Sequence, residues 1–279
     1  MKKSGIDCSP YLTPKAFLYS LMDINNYTDR IMKIWAIADL HLCFGAPDKS
    51  MEAFGFAWEN YVQKIEENWK KVIGPDDLVL IAGDITWAMK LEEAMKDLNW
   101  IDALPGTKVI LKGNHDYWWP SNKKLAEALP SSIHFINNNA YTIGNITIGG
   151  SRLWDTSEYS FNKYITFIEN PLIKEKKLYE KEVERIYNRE LERLRLSLQQ
   201  LDSNATYRIA MTHYPPIGAD LKESRVSKIL EEFEINICVF GHLHNVKKES
   251  PLFGEKNQII YLLTSADYLN FEPILVRSI

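Results

Sequence analysis

Apolar runs recur along the chain, each closed by a polar or glycine-bearing turn, and the stretches between them carry apolar residues at helical spacing. Met32 to Ala38 reads as a first strand. Leu78 to Ile81 is continuously apolar, the pattern of a strand covered on both faces, and Val109 to Leu111 is a further buried strand. Between them, Tyr61, Val62, Ile65 and Trp69 predict a helix over about residues 58 to 72, stopped by Gly74-Pro75. A second helix is expected over about 91 to 103, ahead of Pro105-Gly106. Strand, helix and strand in alternation favour parallel pairing. From Ile133 to Leu153 the runs shorten, and Asn137-Asn138-Asn139 and Gly144-Asn145 predict hairpins, hence a mixed sheet. A charged stretch opened by Pro171 then carries Val183, Ile186, Tyr187, Leu191, Leu194, Leu198 and Leu201, the stripe of a long amphipathic helix around residues 178–201. That stripe either packs on its own domain or joins a second copy as a homo-oligomer. Further strands are expected at Arg208 to Met211, Asn236 to Phe240, Ile259 to Thr264 and Ile274 to Arg277.

Composition narrows this picture without deciding function. The 279 residues, 46% of them hydrophobic, are enough for a full core, and one domain over residues 32–279 is expected. Residues 1–31 read as an N-terminal extension outside the core, because the first strand begins at Met32 and the patch from Ala16 to Met22 makes a poor signal peptide. A net charge of -4 argues against nucleic acid as the main partner. The three cysteines, Cys8, Cys43 and Cys238, form no Cys-x-x-Cys pair, and no apolar run reaches the length of a membrane span, so a cytoplasmic protein is expected.

Chemistry concentrates at the ends of the strands. Asp39-Leu40-His41, Gly83-Asp84, Gly113-Asn114-His115-Asp116, His213 and Gly241-His242-Leu243-His244 each follow an apolar run, and they hold five of the six histidines. Taken singly, each has a structural explanation: Asp39 or Asn114 as a helix cap, a histidine as a hydrogen-bonded core residue. Five together are another matter, since gathering that many ionisable groups without a metal is costly. Open α/β sheets bind ligands where these residues fall, at the carboxyl ends of strands.

This ordered set resembles the calcineurin-like metallophosphoesterase superfamily over about Ile34 to His244. The resemblance implies an α/β four-layer sandwich of two mixed β-sheets flanked by helices, with two divalent metals at the strand carboxyl ends. It implies that Asp39, His41 and His244 hold one metal, that Asn114, His213 and His242 hold the other, and that Asp84 bridges both. His115 is then free to act on the phosphoryl oxygen or the leaving group, and Asp116 is a candidate to orient it. Two ions roughly 3.5 to 4 Å apart suit in-line displacement by a metal-bound hydroxide. Histidine and carboxylate ligands suit Mn, Fe, Zn, Co or Ni, with Mn favoured.

One departure bears on the substrate. Many members place an arginine shortly after the bridging aspartate, whereas here Ile85-Thr86-Trp87 follows. That weakens a phosphoprotein phosphatase reading and favours a phosphodiester, a pyrophosphate or a small phosphomonoester. Phe44, Phe54, Phe56, Trp58, Trp87, Trp118, Trp119 and Trp154 lie in or near the site loops, where they stack a base, line a groove for an acyl chain, or simply pack. The alternatives are a nuclease, which wants a basic groove, and a non-catalytic scaffold, which should show replaced ligands.

Overall fold

The apolar runs become strands because both of their faces are covered. In β1 (Lys33–Ile37), Ile34 and Ala36 face one way, Trp35 and Ile37 the other, and all four are buried. The computed structural model describes residues 31–166, 179–247 and 252–279. The expected extension therefore lies outside the described residues except for Ile31.

Numbered in chain order, β2 (Leu78–Ile81), β3 (Thr107–Leu111), β4 (Ile133–Ile136) and β11 (Ile274–Ser278) join β1 in a five-stranded sheet. Its order is β11-β1-β2-β3-β4, with only β11 antiparallel to its neighbour. A six-stranded sheet contains β5 (Tyr141–Ile143), β6 (Ile146–Ser151), β7 (Tyr207–Thr212), β8 (Ile237–Phe240), β9 (Gly254–Lys256) and β10 (Ile259–Leu263). Its order is β5-β6-β7-β8-β10-β9, parallel inside and antiparallel at both edges. Both sheets are mixed, as expected.

Three apolar layers hold the sheets together. Ile34, Leu80 and Val109 of the first sheet meet Ile148, Ile209 and Val239 of the second. The outer face of the first sheet is covered by α1 (Tyr61–Val72) and α2 (Leu91–Ala103), through Ile65, Trp69, Ala94 and Leu98. The outer face of the second is covered by α4 (Glu180–Leu198) and α5 (Arg225–Glu232). A short helix, α3 (Asn122–Ala128), buries only Leu125. This is the four-layer sandwich, and each fully buried aliphatic side chain in it contributes about 1.5–3 kcal/mol.

Several expectations change. α1 starts at Tyr61 rather than near residue 58, because Phe56–Trp58 forms a 3-10 turn and Asn60 takes a left-handed conformation. Asn137 to Asn139 is not a hairpin: β4 and β5 belong to different sheets, and the chain crosses between them there. Only Gly144-Asn145 closes an antiparallel pair in this region. The stripe of α4 is covered by its own chain, with Tyr187, Leu191, Leu194 and Leu198 buried against the second sheet and α5. Pro171, where that charged stretch opens, lies outside the described residues. No helix among the described residues is long and apolar enough to cross a membrane.

At one end the two sheets are stitched together. The Ala38 N–H donates to the Thr264 carbonyl at 2.7 Å, and the Ala266 N–H donates to the Ala38 carbonyl at 3.0 Å. The ends of β1, β2, β3, β7, β8 and β10 thus open on one shared surface.

Candidate metal centre

Every site residue read from the sequence falls on that surface. Asp39 and His41 follow β1, Asp84 follows β2, Asn114 and His115 follow β3, His213 follows β7, and His242 and His244 follow β8. Asp39, His41, Asp84 and His242 all have positive φ, between 45° and 73°, a conformation that costs non-glycine residues energy and that functional sites concentrate. The turns supply the room. Gly83, at φ 97°, lies so close to His213 that a Cβ there would come within 2.5 Å of the Nδ1, and a Cβ on Gly113 would overlap the Asp84 carboxylate.

The donor atoms turn toward one another. Ligand atoms of Asp39, His41 and His244 lie within 4.8 Å of each other, as do those of Asp39, Asp84 and His213. The Asn114 Oδ1 is 2.7 Å from His213 Nε2 and 3.0 Å from His242 Nδ1. Asp84 Oδ2 sits between the two groups, 3.8 Å from His41 Nε2 and 3.4 Å from His213 Nε2, while its Oδ1 accepts the His115 N–H at 2.8 Å. Backbone and acid partners fix two of the rings. The Ala82 carbonyl accepts from His213 Nδ1 at 3.0 Å, and Asp267 Oδ1 accepts from His244 Nδ1 at 2.8 Å, leaving each Nε2 aimed inward.

Without a cation between them, the buried groups of the cluster shift one another's protonation. Burial raises the Asp39 carboxyl to about 6. Burial works against charge on Asp84 too, but His213 and His41 beside it hold its carboxyl well below the usual range. Burial also opposes charge on His213 and His244; the acids nevertheless raise both to about 9, Asp84 acting on the first and Asp267 on the second. Burial holds His41 and His242 well below an ordinary imidazole.

His115 stands apart from the donor groups. Its ring lies 4.6 Å from that of Trp87, which stacks at 4.7 Å on His41, so both imidazoles rest against one indole. Trp58 packs edge-on against His41 and His244. Trp118 and Trp119 are core residues. Of the aromatics singled out by sequence, Phe56 is the most open, at 88% exposure.

The structure gives Asp116 a different role from the one expected. Its buried carboxylate accepts from the backbone N–H groups of Ile85, Thr86 and Gly113 and from Trp118 Nε1, not from His115. It ties the Asp84 loop to the central turn. Asp267, absent from the sequence reading, was marked only by lying just beyond the end of a strand.

Two carboxylates, an amide oxygen and four imidazoles converge at the strand ends, donor types that could hold metal ions, and two observations test whether cations fit them. Asp39 Oδ1 and His41 Nδ1 are buried with no hydrogen-bond partner. His41 Nε2 and His244 Nε2 face each other at 3.3 Å, an approach that a cation accepting both lone pairs would favour. The set fits hard or borderline divalent ions. Residues 32–246 match the family model of the calcineurin-like phosphoesterases, and the chain belongs to that family. The family is one of phosphoesterases, and the strand ends of this chain bring together acidic and histidine groups that could hold metal ions.

Among known proteins, the Gene 66 protein of Mycobacterium phage L5 is 33% identical over 91 residues, which span 32% of this chain and 42% of that protein. Similar solved structures include the protein of unknown function AQ665 from Aquifex aeolicus, at 16% identity over 88% of this chain and 95% of that one, TM-score 0.43. A putative 5'-nucleotidase from Staphylococcus aureus, in complex with alpha-ketoglutarate, is 13% identical over 84% of this chain and 48% of its own, TM-score 0.44. Purple acid phosphatase PPD1 from yellow lupin (Lupinus luteus) seeds is 13% identical over 85% and 44%, TM-score 0.42.

Proposed function

We propose that this chain is a cytoplasmic dimetal phosphohydrolase whose substrate is a phosphodiester, a pyrophosphate or a small phosphomonoester. Asp39, His41 and His244 would hold one ion, Asn114, His213 and His242 the other, and Asp84 would serve both, with Mn favoured. The observation that carries the reading is the position of Asp84 Oδ2 between His41 Nε2 and His213 Nε2. When bound, the ions supply positive charge to phosphoryl oxygens and acidify a water that attacks phosphorus.

The chain's own residues do the rest. Asp267 and the Ala82 carbonyl hold His244 and His213 in the tautomers that leave Nε2 free. Burial lowers His115 below an ordinary imidazole, so it meets a substrate neutral, with one N–H to donate to a phosphoryl oxygen. The negative charge of a bound substrate favours its protonated form, and from there it can pass the proton to a departing oxygen. Trp87 keeps its ring from turning away.

The test is a panel of a bis-aryl phosphodiester, pyrophosphate and an aryl phosphomonoester, each with Mn, Fe, Zn, Co and Ni. Turnover of at least one substrate, abolished by chelation and restored by metal, is expected. Metal-independent turnover, or none with any pair, would overturn the reading. A nuclease would instead degrade long single- or double-stranded DNA or RNA faster than the small diester.

A further inference from the structure

A second cavity, of about 200 Å³, lies between α4 and the ends of β3 and β6, outside the donor cluster. Its lining carries four cations, Lys112, Arg152, Arg189 and Arg193, and one acid, Glu190. Glu190 is 1% exposed and organises the arginines. Its Oε1 meets Arg193 at 2.8 Å, Arg189 at 3.2 Å and Arg152 at 3.6 Å, while its Oε2 accepts from the Ser151 hydroxyl at 3.0 Å. A buried carboxylate needs a counter-charge, and one guanidinium supplies it. Three guanidiniums sharing a single oxygen leave most of their N–H donors free, and Lys112 adds a further charge. The lining is thus strongly positive in a protein whose net charge is -4.

Fixed forks of N–H donors around a small polar cavity are the geometry that recognises tetrahedral oxyanions. We propose that this cavity binds a phosphate group, with Glu190 as the template that holds the guanidiniums apart. Arg152 links it to the metal centre. One face of its guanidinium lies 4.6 Å from the Trp154 ring, and its carbonyl accepts the N–H groups of His213 and Tyr214 at 3.2 and 3.0 Å.

Phosphate could reach the cavity as free orthophosphate, the product of phosphomonoester or pyrophosphate hydrolysis, or as a second phosphate of the substrate. Binding of inorganic phosphate to the full chain is measured by calorimetry in the presence of EDTA, which removes the metal centre as a competing site. Arg193→Gln should weaken binding about tenfold, the usual effect of losing one charge-assisted contact. Glu190→Gln should tighten it, because the amide oxygen still positions the guanidiniums while the one competing negative charge is gone. If the arginines serve only to neutralise Glu190, the chain will bind no phosphate, or bind it equally in both variants, and the proposal falls. Should Arg193→Gln fail to fold, Glu190→Gln and Arg193→Lys carry the test, the lysine variant keeping most of the affinity.

Kinetics with metal present then separate the sources. A substrate's second phosphate is indicated if Arg193→Gln raises KM for bisphosphorylated substrates alone, and free product if it relieves inhibition by phosphate at unchanged KM. The calorimetric outcomes hold whether or not the metal assignment above is correct, since binding is read without metal.

Discussion

Replacing Asp267 by asparagine should weaken metal binding about tenfold and leave the fold intact. Asp267 accepts from His244 Nδ1 at 2.8 Å and from the Asn245 N–H at 2.9 Å, and its side chain is 8% exposed. A hydrogen bond to a charged partner in such a place is worth about 1.5–3 kcal/mol, and a neutral amide acceptor keeps roughly half of that. The loss, about 0.8–1.5 kcal/mol, reaches about tenfold in affinity. Asp267→Ala removes both bonds and should cost about 30- to 100-fold, within the range seen when the acid behind a metal-binding histidine is lost. It also strands the Asn245 N–H, so a modest drop in thermal stability accompanies it. The assay is a titration of activity against added metal, with bound metal measured after desalting. A role in orienting His244 moves the metal concentration for half-maximal activity and returns kcat to within a few-fold of the parent at saturation. A merely structural role lowers Tm and leaves the metal curve where it was. Half-saturation within about twofold of the parent in both variants would refute the orientation of His244 by Asp267, since even the smaller estimate lies above about threefold.

Other substitutions probe the neighbouring roles. His115→Ala should keep its metals and lose on the order of 10²-fold or more in kcat on an alkyl diester, with a smaller loss on an activated aryl diester, whose leaving group needs no proton. Asn114→Ala, one residue away, should instead lower metal occupancy on elemental analysis; normal occupancy there would reassign Asn114. Asp84→Asn should lose at least one ion and nearly all hydrolysis, so two tightly held ions with unchanged turnover would sink the central position given to Asp84. Asp116→Ala strands three backbone N–H groups and the Trp118 indole, each costing about 1–3 kcal/mol when buried unpaired, and should destabilise the chain by at least about 3 kcal/mol in denaturant titration. A change under about 1 kcal/mol would show that water replaces the carboxylate.

By itself the sequence determined the elements whose burial is written into a local pattern. β2 and α2 have the bounds their residues imply, because Leu78 to Ile81 is apolar on both faces and Leu91 to Ala103 keeps helical spacing between turn residues. It also marked the residues that the strand ends bring together, since metal-type side chains at successive strand ends have few other uses. Tertiary structure decided what depends on contacts between distant residues. α3 and β9 bury little and leave no periodic trace, and α5, at eight residues, is too short to leave much of one. The three asparagines after β4 look like a hairpin turn from inside the chain, yet β4 finds its neighbour in β3 and β5 finds its own in β6. Asp116 sits beside His115 in sequence, but its carboxylate binds Ile85 and Thr86, some thirty residues away. Asp267 meets His244 across 23 residues. Hydrogen bonds and charges act through space, so a residue's partner is fixed only when the sheets close and bring the strand ends together.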